Sequence, residues 1–465
     1  MEKVINHYNS IALKRDEYIK KNSYYYQLLF GYYRYLIPEK KRILEIGSGT
    51  GELLNALNPS YGVGIDVSGE MVHIAQSKFT HLKFYSGQVH EVDLSETFDY
   101  IILSGVLGES DDIQSLLQHL HKFATKDTRI IIEYYSYLWQ ILLKGAERLR
   151  LKMPQMIQNW LTHNDLKNFL NLTGYESIRI ERKILLPKYI PFLSAFINKI
   201  IANLPFLNAL TLNHFMIARP LVMNSDHYSV TILIPAKNEK GNIEEAVLRT
   251  PVFGSRQEFI FVEGNSSDGT YEEIELVMKA LADKDIKLYK QTGKGKGDAV
   301  RLGFSQASGD ILMILDADLT TPPEDLPKFY EALRDGKGEF INGNRLVYPM
   351  EKEAMRFLNL IANKFFGLFF SWLLGQTYKD TLCGTKVLFR HHYRQIVENR
   401  AYFGDFDPFG DFDLIFGAAK QNLKTIEVPV RYKERTYGST QIRRFYHGLL
   451  LFRMCWFSMK KIKFR

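Results

Sequence analysis

Twice along this chain, short apolar runs alternate with amphipathic helical segments, and the alternation restricts the fold more than any other feature. "ILEI" (43–46), "GVGI" (62–65), "LKFY" (82–85), "YIIL" (100–103) and "RIIIEY" (129–134) read as strands, with "SGEMVHIAQSKF" and "DIQSLLQHLHKF" as helices between them. A second series begins near Ser229 with "VTILIP" (230–235), "EFIFVE" (258–263), "IKLYK" (286–290) and "DILMILD" (310–316). Strands that are apolar throughout and separated by helices pack as a parallel sheet covered on both faces. The expected fold class is therefore α/β, in two tandem domains, which suits 465 residues. The break falls in "ARPLVMNSDHY" (218–228), where a helix-like apolar pattern gives way to Pro, Asn, Ser and Asp. The expected division is 1–218, a linker 219–228, and 229–465 with a basic tail.

In the first half, "LEIGSGTGELL" ends a strand at Ile46, sets Gly47, Gly49 and Gly51 in the turn, and opens a helix near Glu52. Glycines let backbone turn tightly and approach a ligand closely. Asp66 closes the next strand, nineteen residues after Gly47, where a carboxylate can accept hydrogen bonds from two ribose hydroxyls. A dinucleotide fingerprint would want glycine where Glu52 stands.

The Gly-x-Gly-x-Gly form, with acidic Glu45 inside the strand, resembles motif I of the class I S-adenosylmethionine-dependent methyltransferases, and the resemblance runs over most of 1–218. It implies a Rossmann-like domain in which Glu45, Gly47, Gly49 and Gly51 surround the methionine part of S-adenosylmethionine and Asp66 the ribose. Many relatives carry an acid after Gly87 for the adenine amino group; here Gln88 stands there, and its amide oxygen can accept the same bond. "HYNSIALKRD" resembles the N-terminal helix on the substrate side of small-molecule members. No base is identifiable, and proximity to an already activated methyl can suffice. The alternative is a non-catalytic binding or scaffold module.

In the second half, "MILDADLTTPPEDL" sets Asp316 and Asp318 one residue apart after an apolar run. Two such carboxylates are costly unless their charge is compensated. Oxygen ligands suit Mg²⁺ or Mn²⁺, which bind through one or two carboxylates plus phosphate oxygens. The surrounding segments "ILIPAKNEKGNIEEAV", "FIFVEGNSSDGT", "GKGKGDAVRLGFSQASGDILMILDADL", "DTLCGTKVLFR", "FGDFDLIFGAAKQNLKTIEVPV" and "ERTYGSTQIRRFYHGLLLF" resemble, in order, glycosyltransferase family 2, nearest the dolichyl-phosphate mannose synthase type.

That resemblance implies a GT-A-like, inverting enzyme using a nucleotide-sugar donor. Pro235, Asn238 and Glu239 would end the first strand at the nucleotide; Glu263 would hold base or ribose, in "EGNS" where relatives carry "DDGS". Lys296 would meet phosphate at a helix N-terminus. Asp318 would contact the metal, with Asp316 beside it toward the ribose. Asp380 would be the general base, Asp411 and Asp413 would compete for that role or orient the acceptor, and Arg435 would clamp the diphosphate. Thr440 and Gln441 follow Ser439 where lipid-phosphate members often carry Lys.

Ten Lys/Arg against one acid from Arg431 to Arg465 give +9, so the rest of the chain, at a total of +8, is about neutral. Such a tail attracts phosphates and anionic lipid. No nucleic-acid recognition motif accompanies it, so nucleic acid is not expected as a partner. Residues 200–218 and "FFGLFFSWLL" (365–374) are apolar but too interrupted or short to span a bilayer, though both could lie on one. With two cysteines and no secretory signal, the expectation is a cytoplasmic protein in peripheral contact with the inner membrane face. Its acceptor would be a glycan, a glycolipid or a lipid phosphate. Sugar transfer and methylation would serve one pathway.

Overall fold

A computed structural model describes residues 2–156, 159–221, 226–348, 357–402, 412–438 and 444–465. The chain divides into two compact units, Met1–Leu221 with Lys463–Arg465, and Val222–Ile462.

The first unit is built on β1 (Arg42–Ile46), β2 (Tyr61–Asp66), β3 (Lys83–Ser86), β4 (Phe98–Ser104), β5 (Ala124–Tyr135), β6 (Tyr175–Lys183) and β7 (Asn213–Pro220). Their order is β3-β2-β1-β4-β5-β7-β6. Strands β3 to β5 pair in parallel, and β7 runs antiparallel to both β5 and β6. The strand order reverses between β1 and β4, so the loops after those strands frame a crevice at their carboxyl ends. Ser68 starts the helix Gly69–Lys78 by accepting a hydrogen bond from Met71 N, which fixes the backbone just after Asp66.

Strand β7 corrects the sequence reading. The uncharged stretch before the seam was expected to be helical or to lie on a bilayer, yet 213–220 is a strand between two others. Phe215, Met216, Ile217 and Ala218 are all fully buried, so the run is apolar throughout and shows no alternation. Arg219 and Pro220, expected in the linker, close this strand.

The second unit carries β8 (Val230–Ala236), β9 (Gln257–Glu263), β10 (Asp285–Lys290), β11 (Ile311–Ile314), β12 (Phe340–Asn344), β13 (Lys386–Phe389) and β14 (Thr425–Pro429). The order is β10-β9-β8-β11-β13-β12-β14, with β13 antiparallel to β11 and β12. Strand β11 stops at Ile314, shorter than expected, so Asp316 and Asp318 stand in the loop beyond its carboxyl end. Ala236 and Glu263 share one register level there.

No helix among the described residues is long and apolar enough to cross a membrane. The helix Phe357–Leu374 turns Asn363, Gly367 and Ser371 inward. Asn363 is buried, a Cβ on Gly367 would stand 2.6 Å from Lys379 O, and Ser371 Oγ donates to Tyr378 O at 2.9 Å. Phe365 and Leu368 point outward, 52% and 76% exposed. Phe452 and Trp456, on the helix Arg444–Ser458, are exposed as well, and Phe452 packs against Phe365 and Phe366.

Candidate functional site

Each unit gathers functional side chains at the carboxyl ends of its central strands. In the first, Gly47, Gly49 and Gly51 all take positive φ, of 72°, 52° and 87°. A Cβ on Gly49 would lie 2.6 Å from Nε of Arg15, on the N-terminal helix Glu2–Lys21, and the positive φ there favours glycine. Asp66 Oδ2 accepts from Gly49 N at 2.7 Å and Oδ1 from Ser68 N at 2.9 Å. The distal acid and the glycine loop thus touch. Burial raises the Asp66 carboxyl, opposed by these two bonds and by Arg15.

A cavity of about 630 Å³ opens here, lined by Gly47, Gly49, Asp66, Gln88, Arg15 and Tyr8 among others. Gln88 has its amide nitrogen held by Glu91 at 3.3 Å. Glu45 lines a small neighbouring pocket with Ser48 and Arg15. Among the described residues, Arg15 Nε, Glu45 Oε2 and Ser48 Oγ are buried without hydrogen-bond partners. Three unmatched polar atoms around one glycine loop fit a ligand carrying both charges of an amino acid. Tyr8 OH donates to the Glu109 carboxylate across the cavity. Arg15 and Glu109 were not singled out from sequence. No local motif marks them, because the long-range packing of the N-terminal helix brings Arg15 to the loop.

In the second unit, the two loop aspartates each hold a cation. Lys296 Nζ stands 2.6 Å from Asp316 Oδ1, and Arg435 Nη2 stands 2.6 Å from Asp318 Oδ2. Burial pushes the Asp316 carboxyl up, but Lys296 outweighs it and the group sits below the usual range. Arg435 Nη1 also donates to Glu239 Oε1 at 2.6 Å. Burial lifts the Glu239 carboxyl to about 6, with Arg435 pulling against it and Asp318 adding to it. A Cβ on Gly384, in "DTLCG", would stand 1.9 Å from Asp316 Oδ2, so this loop packs directly onto the Asp316–Lys296 pair.

The neighbouring turns are tied together. Asn238, at φ 55°, accepts from Ser267 N at 2.9 Å, and its own N–H donates to Ser266 Oγ at 2.9 Å. Ser266 N in turn donates to Glu263 Oε1, so Glu263 caps its own turn at the sheet edge. Pro235 sits on β8, one residue before its end. Tyr437 OH donates to Asp268 at 3.2 Å, which draws the segment around Arg435 over this edge.

Asp380 is fully buried, with a different environment from the one its expected role calls for. Arg345 Nε and Nη2 donate to its two oxygens at 2.7 and 2.8 Å, and the backbone N–H groups of Arg345 and Leu382 add bonds of 3.0 and 3.1 Å. Burial is outweighed by Arg345, which holds this carboxyl low. Its acceptor capacity is taken up, so it holds Arg345 rather than a free proton site. Lys386 is fully buried close by, its ammonium on Cys383 O. Neither Arg345 nor Lys386 carries a sequence signal. Asp413 pairs with Arg400 at 2.9 Å. Asp411 and Ser439–Gln441 lie outside the described residues.

Each unit thus carries its own polar constellation, at the carboxyl ends of β1 and β2 in the first and of β8 and β11 in the second. Residues 18–180 match the family model of a methyltransferase domain, and residues 231–402 match that of glycosyl transferase family 2. The chain joins a methyltransferase domain to a glycosyltransferase family 2 domain. A dolichol-phosphate mannosyltransferase of Pyrococcus furiosus is 35% identical over 137 residues, 29% of this chain and 38% of that protein. An undecaprenyl-phosphate 4-deoxy-4-formamido-L-arabinose transferase of Yersinia pestis is 27% identical over 228 residues, 47% of this chain and 64% of that protein. The chain thus spans less than two thirds of the length of either relative. Among solved structures, a SAM-dependent methyltransferase of Thermotoga maritima aligns at 15% identity and a TM-score of 0.37, covering 46% of this chain and 99% of its own.

Proposed function

We propose that the chain is a bifunctional enzyme acting in one pathway. Its second domain transfers a sugar from a nucleotide-sugar, with a divalent metal, to a polyprenyl-phosphate, glycolipid or glycan acceptor. Its first domain methylates a compound of the same pathway. The observation that carries the sugar-transfer reading is the trio Asp318, Glu239 and Arg435, which joins acids from two strand ends to a cation at the sheet edge. A site that already holds one cationic group between hard oxygen ligands suits Mg²⁺ or Mn²⁺.

Asp318 would be the main metal contact, with Asp316 beside it; the metal would supply charge neutralisation at the departing diphosphate. Lys296 and Arg435 would then turn to the phosphates. Asp380 would position Arg345 at the acceptor side, and an ionised lipid phosphate would need no base.

The glycine loop, Asp66 and the unpartnered Arg15 Nε favour a working cofactor site over a scaffold. Asp66 would hold the ribose hydroxyls, Gln88 the adenine, and Arg15 the methionine carboxylate, with Glu45 and Ser48 lining the loop. Bound there, S-adenosylmethionine supplies a methyl group already activated as a sulfonium.

The outward apolar face of Phe365, Leu368, Phe452 and Trp456, flanked by exposed Lys364, Arg453 and Lys460, supports peripheral contact with an anionic membrane holding the acceptor. We place the protein on its cytoplasmic side. The test is product analysis by mass spectrometry after incubating the full chain with undecaprenyl phosphate, Mn²⁺ and each of the UDP-, GDP-, dTDP- and CDP-sugars. A glycosyl-phosphoryl lipid formed from one donor supports the reading; donor hydrolysis alone, with no lipid product from any donor, counts against the lipid acceptor.

A further inference from the structure

The cavity beside the glycine loop contains a polar cluster that the cofactor reading leaves unused. Glu133, near the carboxyl end of β5, lies level with Ser104 of β4. One oxygen accepts from Asn213 Nδ2, and the other from Ser104 Oγ at 3.2 Å. Asn213 also donates to Tyr25 OH at 2.8 Å, and Tyr25 OH stands 3.4 Å from Tyr135 OH. Glu133, Ser104, Tyr25 and Tyr135 line the same cavity as Gly47 and Asp66.

Glu133 is only 3% exposed, and the side chains bonded to it are neutral. Burial pushes its carboxyl up to about 7. The titratable groups around it are Tyr25, Tyr26 and Tyr33 of the helix Ser23–Leu36, Tyr135 on its own strand, and Arg15 farther along the cavity wall. A carboxylate buried without a cation is costly and attracts one. The tyrosine rings beside it favour the same kind of guest. The proton chemistry also selects the guest. An alkylammonium titrates near ~10.4, within reach of this carboxylate, whereas a hydroxyl comparable to water lies near ~15.7.

We propose that Glu133, with Tyr25 and Tyr135 beside it, binds the methyl acceptor through an ammonium group and takes up its proton, so that the acceptor is a primary or secondary amine. This rests on the cofactor reading above. The N–H bond breaks, its proton passing to a Glu133 oxygen and its electron pair staying on nitrogen. That pair forms the new N–C bond, while the pair of the broken S–C bond stays with sulfur. The product leaves as a methylated ammonium, and Glu133 releases its proton to solvent.

The experiment titrates the full chain, loaded with S-adenosylhomocysteine, with benzylamine and with benzyl alcohol as its hydroxyl counterpart, followed by calorimetry. Benzylamine should bind at least tenfold tighter at pH 8, and the preference should fade below pH 7 as Glu133 gains its proton. Glu133→Gln should erase the preference while leaving the affinity for S-adenosylhomocysteine within threefold; Glu133→Asp should keep part of it. Equal binding of the two probes, binding of neither, or a preference that survives Glu133→Gln overturns the proposal. If the wild-type chain fails to bind S-adenosylhomocysteine, the cofactor reading falls first and the amine proposal with it.

Discussion

Arg435 holds Asp318 at 2.6 Å and, through its other terminal nitrogen, holds Glu239 at the same distance. The guanidinium therefore stands where two acids from different strand ends converge. Without donor and metal it balances their charge, and a divalent cation must compete with it. Arg435→Ala should tighten Mn²⁺ binding about tenfold, ~1.4 kcal/mol, while slowing sugar transfer through loss of the diphosphate clamp. Calorimetry with Mn²⁺ alone checks the first part. Unchanged or weaker Mn²⁺ binding would show that the guanidinium does not compete for the site.

The Arg345–Asp380 pair is a structural commitment of the second domain. Asp380→Asn leaves a largely buried guanidinium without its partner's negative charge and should cost about 3–5 kcal/mol. The sign with pH follows from the lowered carboxyl. Its stabilising contribution is present above the unfolded value of ~3.9 and is lost as pH falls through the folded value. Urea titrations should accordingly show a wide gap between wild type and variant at pH 7 that narrows below pH 4. A loss under about 1 kcal/mol at pH 7 would mean that the pair is not holding the fold.

Part of the site lies between near neighbours in sequence, residues that are adjacent or separated by one strand–helix–strand unit, whereas Arg435 meets Asp318 and Glu239 from 117 and 196 residues away and was named only through the family resemblance. Asp66 and Gly49 are a single such unit apart, and the fold brings them into contact at 2.7 Å. Asp316 and Asp318 follow directly from the end of β11. Arg15, Arg345 and Glu133 could not be found that way. Arg15 reaches Gly49 by packing of a helix, Arg345 meets Asp380 from 35 residues away, and Glu133 acquires its neutral surroundings from Asn213 on β7, a strand hidden in a continuous apolar run. Asp380 shows the complementary failure: its position in the motif suggested a base, but only the folded chain reveals the arginine already bound to it.

Glu133 also predicts a stability signature. Its folded carboxyl, at about 7, lies above the unfolded value, so the penalty of ionising it is absent below pH 4 and grows as pH rises to 7. At ~1.4 kcal/mol per pH unit the full penalty is about 3 kcal/mol. Glu133→Gln removes it, so relative to wild type the variant should gain stability between pH 5 and pH 8. A difference that does not change with pH would mean that Glu133 does not titrate in this range.

The exposed apolar face of the second domain makes a prediction about membranes. Leu368→Glu and Phe452→Glu should each reduce co-sedimentation with anionic phosphatidylglycerol vesicles several-fold, since both side chains point outward. If only added salt lowers binding and neither substitution does, the contact is purely electrostatic and the apolar face is not part of it.

The central claim is that the loop aspartates form a working metal and donor site. Its most direct test is the thermal stabilisation of the full chain by UDP-, GDP-, dTDP- and CDP-sugars with and without Mn²⁺, compared in wild type, Asp318→Asn and Asp66→Ala. A ligand at a hundred times its dissociation constant adds ~2.7 kcal/mol to the state that binds it. The account predicts a Mn²⁺-dependent shift with one nucleotide base, lost in Asp318→Asn and retained in Asp66→Ala. No shift with any donor, or a shift that persists in Asp318→Asn, would contradict it.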